Sequence, residues 1–497
     1  MEGSVIIIGS GLGGLECGYI LARHGMKVTV LEQSNQTGGC LQTFVRGRAL
    51  FDTGFHYVGG LGDGEPLNVL FRYFGLMDLP WRQLDPECFD EVVIGDRSFP
   101  FASGHGMFAR RLSEHFPHEK DAIRKYTEFL KKVGDHIFDS FSPRSAEGFF
   151  SESLFSRPAY GFLTETVKDP LLRKVLSGTS LKMELSADSL PLYVFAQIND
   201  SFIRSSWRLC GGGSQITDTL AESIRRMGGE VRTDAEVTSV RVEGGRVAGV
   251  TVNGGEPLDA DYVVSDIHPA ALVALIGETK AVRKVYRHRM SSLENTYGMF
   301  TANIRLKPGM LKYVNRNIHM HGSDADLWNP RPGRTDSILV NWSVPYDGSD
   351  DAISLDILTP MWWSEVSKWA GLPFGHRGDD YVQFKKAKTE ECLGLAEQRI
   401  PGLRDAVDRI YTSTPLSYMS YLKEPEGSAY GVRKDWRSPM TTVLSPRTPL
   451  PGLLMTGQSL NLHGILGVTM TSVFTCAEIL GMEALASEIL GTDRSFV

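Results

Sequence analysis

Val5-Ile6-Ile7-Ile8 is a β-branched run that stops at Gly9-Ser10-Gly11-Leu12-Gly13-Gly14, after which Leu15 to Ala22 resumes with helical apolar spacing. Lys27-Val28-Thr29-Val30-Leu31 then alternates as a second strand and closes on Glu32. Strand, glycine turn, helix and strand in this order commit the opening of the chain to a parallel βαβ unit. Each residue type has a physical task. Gly9 permits the tight turn, Gly11 lets backbone approach a pyrophosphate, and Gly14 lets the helix lie close against the strand. Leu12 and Gly13 stand at the helix N-terminus, where unpaired N–H groups and the positive dipole end favour phosphate. Glu32, with Gln33 after it, is placed to accept hydrogen bonds from ribose hydroxyls. The element order matches a dinucleotide-binding fingerprint from end to end.

Composition limits what the rest can be. A chain of 497 residues with 42% hydrophobic and 22% charged residues is globular and too long for one core. Its net charge of -7 offers no cationic field, which excludes nucleic acid as the expected partner. The six cysteines are scattered, without a CxxC pair, so free thiols in a reducing compartment are expected and no metal site is read from them. The N-terminus lacks the basic region of a signal peptide, and no stretch is long and apolar enough to span a bilayer. A cytoplasmic protein, peripheral to a membrane at most, is the expectation. The 52 glycines are in excess and fall in pairs and triplets, the pattern of backbone brought close to a ligand.

After Glu32 comes Gln33-Ser34-Asn35-Gln36-Thr37-Gly38-Gly39-Cys40. A glycine pair at this distance resembles the second signature of the FAD-binding amine oxidase and carotenoid desaturase superfamily, and it favours FAD over NAD. Together with Phe51-Asp52-Thr53-Gly54-Phe55-His56-Tyr57-Val58-Gly59, it resembles the retinol saturase branch of the phytoene desaturase, carotenoid isomerase and retinol saturase family. Relatives flank the glycine pair with arginines, where this chain has Gln36 and Cys40. Further similarity lies in Gly211-Gly212-Gly213-Ser214-Gln215, in the strands from Glu230 to Val240, in Val263-Val264-Ser265-Asp266, and in the closing run from Gly452 to Thr469. The resemblance implies that Gly38, Gly39, Cys40 and Gly54 line the FAD and that Val237 backbone meets the adenine. It also implies that Gly457 and Gln458 lie beside the ribityl phosphate. A helix beginning near Gly467, with Val468 and Thr469, would point N–H groups at the flavin pyrimidine.

The implied fold class is α/β: a Rossmann-type FAD-binding domain with an inserted α+β substrate domain and a helical cap. The FAD domain is expected to be discontinuous, built from residues 1–110, 205–280 and 445–497, with the cap at 111–204 and the substrate domain at 281–444. The activity implied is that of an FAD-dependent oxidoreductase acting on carbon–carbon double bonds of a lipophilic polyene, a retinoid or carotenoid, in the saturating direction. A desaturase or a cis–trans isomerase would use the same motifs, and a non-catalytic prenyl-lipid binder would share the fold. No second nucleotide fingerprint is present, so reducing equivalents would come from transiently docked NAD(P)H or another carrier.

His56, directly after the glycine-bearing loop, is the candidate catalytic residue, with His463 a weaker candidate for contact near the flavin. His319-Met320-His321 lacks a ligand pattern and reads as strand surface. Met361-Trp362-Trp363 with Trp369 and Leu372 reads as core, or else as a membrane-facing entry for lipid. Asp350-Asp351 and Asp379-Asp380 read as solvated loops. Oligomeric state is not legible.

Overall fold

The computed structural model describes residues 3–141, 153–346 and 348–491. The opening strand, Ser4–Ile8, pairs in parallel with Lys27–Leu31 on one side and Tyr262–Ser265 on the other. Glu230–Arg232 and Leu453–Met455 extend the two edges in the same direction. Val5 and Ile7 pack with the helix Leu12–Arg23 and its neighbours, and Ile6 and Ile8 pack on the opposite face. Both faces are therefore covered, which is why this strand is an unbroken apolar run instead of an alternating one. Burial of each such side chain contributes roughly 1.5–3 kcal/mol.

A seven-stranded sheet forms the second body, in the order Val407–Ser413, Gly298–Leu306, Ser354–Met361, Ser337–Trp342, Asn317–His321, Asp90–Ile94, Arg97–Phe101. All its pairings are antiparallel except that of Asn317–His321 with Asp90–Ile94. Phe300, Val340 and Ile357 face the helix Asp379–Ala396, while their sequence neighbours Met299, Leu339 and Leu358 face the other way, into a cavity. This is the period-two alternation of a strand used to wall a cavity with one face. The strands Asp90–Ile94 and Arg97–Phe101 belong to this sheet, so a domain boundary at residue 110 falls after two strands that pair in the other body. Only the long-range pairing of residues 317–321 with 90–94 reveals this, and no local pattern carries it.

His105–His115, Lys120–Asp135, Ala159–Thr166, Pro170–Leu176 and Leu192–Arg204 share a third core, rich in phenylalanine. Lys120–Asp135 matches the helical periodicity expected there, and Leu192–Arg204 presents Gln197, Ile198, Ser201 and Phe202 to the cavity.

Three local expectations change. Asn317–His321 is buried along its whole length, so His319 and His321 are interior residues and not strand surface. Asp379 and Asp380 open an 18-residue helix instead of lying in a loop; acids in a first turn complement the positive dipole end, and Asp380 Oδ2 accepts a 2.8 Å bond from Trp369 Nε1. The final long helix, Gly464–Leu480, begins a turn earlier than Gly467. Met361 and Trp369 are buried, Trp362 meets Tyr297 edge to face, and Trp363 is half-buried, while Leu372 is exposed. No helix among the described residues is long and apolar enough to cross a membrane.

Candidate active site

The carboxyl ends of the parallel strands gather Gly9, Glu32, Asp266 and Thr456 at one edge, the place where open α/β sheets bind ligands. A cavity of about 610 Å³ starts here and runs to the apolar face of the seven-stranded sheet. Gly9, Gly11, Leu12 and Gly13 line it, as do Glu32, Gln33, Gly38, Gly39, Cys40, Gly54, His56, Val237, Gly457, Gln458 and Val468. Residues from three separated stretches of sequence thus share one wall.

Three sequence candidates do not line the cavity, and each has a structural task. A Cβ on Gly14 would stand 2.3 Å from the Gly9 carbonyl oxygen, so this glycine lets the helix abut its own turn. Gly467 has no room for a side chain beside the Leu462 carbonyl. Thr469 donates its hydroxyl to Glu16 Oε1 at 2.7 Å. Glu16 is buried inside the opening helix, and burial pushes its carboxyl up to about 8 against the lowering effect of Thr469 and Ser472.

Glu32 does more than wait for ribose. Its Oε2 accepts from Ser10 N (3.1 Å) and Ser10 Oγ (2.7 Å), and its Oε1 accepts from Ser34 N (2.9 Å). Gly38 N in turn donates to Ser10 O at 3.0 Å, so acid, glycine turn and second glycine pair form one tethered unit. Gly38 and Gly39 have φ of 119° and 54°, a conformation that favours glycine, and a Cβ on Gly39 would touch Gly11 Cα at 3.4 Å. Glu32→Ala therefore loosens the loop as well as removing the acceptor that a ribose would use. We expect flavin retention to fall by about tenfold or more, a loss of roughly 1.5–3 kcal/mol for hydrogen bonds to a charged group, with the melting profile little changed. Unchanged flavin occupancy after gel filtration would show the acid misassigned.

Cys40 faces Gly54: a Cβ on that glycine would stand 3.1 Å from the Cys40 carbonyl oxygen, and burial pushes the thiol up to about 12, which makes it a packing group and a poor nucleophile. His56 lines the cavity with Nδ1 3.8 Å from Asp356 Oδ2 and without a hydrogen-bond partner among the described residues. Burial, with Arg208 nearby, lowers it to about 4, so the imidazole is neutral. His463 is likewise lowered to about 4 by burial; its Nε2 lies 3.1 Å from the Lys182 carbonyl oxygen and its ring lies against Tyr430.

Several site groups escape a reading of sequence alone. Lys182 lines the cavity with its Nζ 2.8 Å from Asp90 Oδ2 and 4.0 Å from the Phe202 ring centroid. Tyr57 Oη donates to the same Asp90 oxygen at 3.0 Å, and Asn317 Nδ2 donates to the other at 2.8 Å. His319 Nε2 stands 3.5 Å from Asp90, which occupies this histidine in a buried polar cluster; no trio of metal-ligating side chains occurs among the described residues. Burial alone would raise Asp90, but Lys182 and His319 hold it well below the usual carboxylate range. Gln197 is fully buried at the cavity, and neither amide atom has a partner among the described residues. Asp90, Lys182 and His319 are far apart in sequence, and only folding assembles them. Asp266 was within reach, as an acid directly after a buried strand that abuts the glycine turn.

The donor set fits an FAD. One end offers a glycine turn, a helix N-terminus and an acid for ribose; Gly11, Gly13, Gly39 and Gly457 bring bare backbone to the cavity wall, with the Asp266 carboxyl packed against three of them. The model for flavin containing amine oxidoreductases matches residues 12–480. Among curated proteins, the chain is 26% identical to an all-trans-retinol 13,14-reductase of Rattus norvegicus over 97% of its own length and 88% of that protein. It is 24% identical to a chloroplastic prolycopene isomerase of an Oncidium hybrid cultivar over 86% of its length and 75% of that protein. Among solved structures, an oxidoreductase from Methanosarcina mazei superposes with a TM-score of 0.62 at 18% identity, covering 94% of this chain and 98% of that one. Cyclohexylamine oxidase from Brevibacterium oxydans superposes with a TM-score of 0.62 at 14% identity, covering 98% of this chain and 100% of that one. The match over nearly the whole length, on the Rossmann-type fold and glycine cradle described above, means that the chain belongs to the flavin containing amine oxidoreductase family and is a flavin-dependent oxidoreductase.

Proposed function

We propose that this protein uses FAD to reduce a carbon–carbon double bond in a retinoid- or carotenoid-like polyene. The observation that carries the reading is the apolar end of the flavin cavity, walled by Met299, Leu339, Leu358, Ile198, Phe202 and Leu462. Such a wall suits a long unsaturated hydrocarbon. The similarity to a retinol reductase and to a prolycopene isomerase supports a polyene.

When bound, FAD supplies hydride transfer at the carbon–carbon bond. These residues, which share one cavity wall, would hold it: Glu32 and Gln33 at the ribose, Gly11 to Gly13 with Gly38 and Gly39 at the diphosphate, Val237 at the adenine, and Gly457 and Gln458 toward the ribityl chain. The N-terminus of Gly464–Leu480 reaches the cavity with Gly464, Ile465 and Val468, and would offer N–H groups and a positive dipole end to a bound flavin. His56, neutral and unpartnered at Nδ1, would relay to the substrate carbon the proton that must accompany the hydride, and the Lys182 ammonium holds one at Nζ against Asp90. Gln197 is available to bond a substrate hydroxyl. Reducing equivalents arrive from transiently docked NAD(P)H or another reduced carrier, and a lipid substrate is collected at a membrane surface that the chain meets peripherally.

The product distinguishes the directions. A saturase yields a compound heavier by two hydrogens with a shortened chromophore, an isomerase yields an isomer of unchanged mass, and a desaturase yields one lighter by two hydrogens. We expect the first when reduced holoenzyme is incubated anaerobically with all-trans-retinol and the extract is analysed by mass spectrometry. Unaltered retinol together with unaltered carotenoid substrates would overturn the reading.

A further inference from the structure

The diphosphate end of the cavity is unusually acidic. Asp266, directly after the strand Tyr262–Ser265, places its carboxyl over the glycine turn: a Cβ on Gly11 would stand 2.5 Å from Oδ2, and one on Gly13 or Gly457 would stand 2.7 or 2.5 Å from Oδ1. The Gly14 backbone N–H also faces this carboxyl. The groups around it are nearly all acids. Glu32 approaches from the end of the second strand, Glu424 from beyond the helix Pro415–Leu422, Cys40 from the second glycine pair and Glu16 from the opening helix. Two of the nearby bases are engaged and the third is open to solvent. Lys434 donates to the Ser459 carbonyl oxygen at 2.6 Å, His268 is held between Asn295 and the Ala270 N–H, and Lys423 is exposed. Among the described residues no Lys or Arg pairs with Asp266, and Lys182 and Lys423 are the only Lys or Arg lining the cavity.

A diphosphate brought against an ionised Asp266 would meet two like charges at close range, each repelling by about 4 kcal/mol at 4 Å and an effective dielectric of about 20. The neutral acid reverses the effect, because its O–H is a donor aimed at the same space as the N–H groups of the turn. We propose that Asp266 joins the flavin site as a protonated carboxyl that donates a hydrogen bond to the cofactor diphosphate, so that holding the cofactor is coupled to one bound proton. This rests on FAD being the cofactor, as proposed above. Burial raises this carboxyl to about 7 against the lowering effect of the Gly14 N–H, with Glu32 and Glu424 pushing it in the same direction as burial. The sign follows: an acid raised in the protein and raised further by a bound anion favours the complex at low pH. The coupling is lost as pH rises through that range, at roughly a tenfold change per pH unit for one proton. The diphosphate diester keeps its charge throughout, so the slope belongs to the protein.

Full-length holoenzyme diluted into buffers from pH 6 to 9 reports the apparent dissociation constant through the fluorescence of released flavin. The wild type should weaken about tenfold per unit toward the alkaline end. Asp266→Asn, which keeps a donor and cannot ionise, should hold flavin with little pH dependence, and Glu424→Gln should retain the slope. Calorimetry of FAD binding to the flavin-stripped full-length chain at pH 8, in two buffers of different ionisation enthalpy, should show uptake of about one proton. A flat wild-type profile, no proton uptake, or a slope that persists in Asp266→Asn would overturn the inference. A chain that binds no flavin at any pH fails the proposed function itself, which is a different result.

Discussion

Alanine at position 14 should give a folded protein without its yellow colour. The added Cβ has 2.3 Å to the Gly9 carbonyl oxygen, far inside contact distance, and that oxygen is backbone, so the turn from Gly9 to Gly14 must open. Opening it misaims the N–H groups that would bond the diphosphate. Losing two such charge-assisted bonds at roughly 1.5–3 kcal/mol each weakens FAD by about a hundredfold or more. The strands Ser4–Ile8 and Lys27–Leu31 keep their pairing and their buried faces, so the urea unfolding transition should remain cooperative with a modestly lower midpoint. Flavin absorbance at wild-type occupancy would contradict this role for Gly14.

Lys182→Met should be the most damaging single change outside the glycine cradle. It leaves the Asp90 carboxylate, fully buried, without the ammonium 2.8 Å away. Breaking one side of a buried pair typically costs about 3–5 kcal/mol. The double variant Lys182→Met/Asp90→Asn should recover most of that, since no charge is then stranded. Asp90 is lowered in the native protein, so its contribution is present above the usual carboxylate range and is lost in acid as pH falls through its lowered value. In Lys182→Met the same carboxyl loses the attraction that lowers it and takes up a proton more readily. The deficit relative to wild type, read from urea midpoints, should therefore be largest near neutral pH and narrow as pH falls. Equal midpoints for the single variant and wild type at pH 7 would show the pair to be energetically idle.

The cofactor half of the site was legible because its parts are local. Gly9 to Gly14, Glu32, Gly38 and Gly39 lie within forty residues, and their spacing encodes turn, helix end and acceptor in the order in which the proposed cofactor would meet them. Val237, Gly457 and Gln458 were reachable through family resemblance, since strands far apart in sequence share one sheet edge. Gly467 and Thr469 were found by the same route yet support the site from behind, as Gly14 does in the packing role its place in the turn implies, because a motif records where glycine is required and not whether a ligand or another backbone requires it. The substrate half was hidden. Met299, Leu339 and Leu358 alternate like the residues of any half-buried strand, and nothing local says that their face looks onto a cavity and not a core. Asp90 and Lys182 are ordinary in their own segments; His319 was misjudged as surface because a short polar strand looks the same on an edge as in the middle of a sheet.

The most direct test of the central claim is a single anaerobic turnover. Holoenzyme is reduced by light in the absence of oxygen, and all-trans-retinol is added while the flavin and polyene bands are recorded together. The account predicts that the oxidised flavin spectrum returns in step with loss of polyene absorbance, about one equivalent of polyene per flavin. A flavin that stays reduced while the polyene spectrum merely shifts, or does not change, would contradict it.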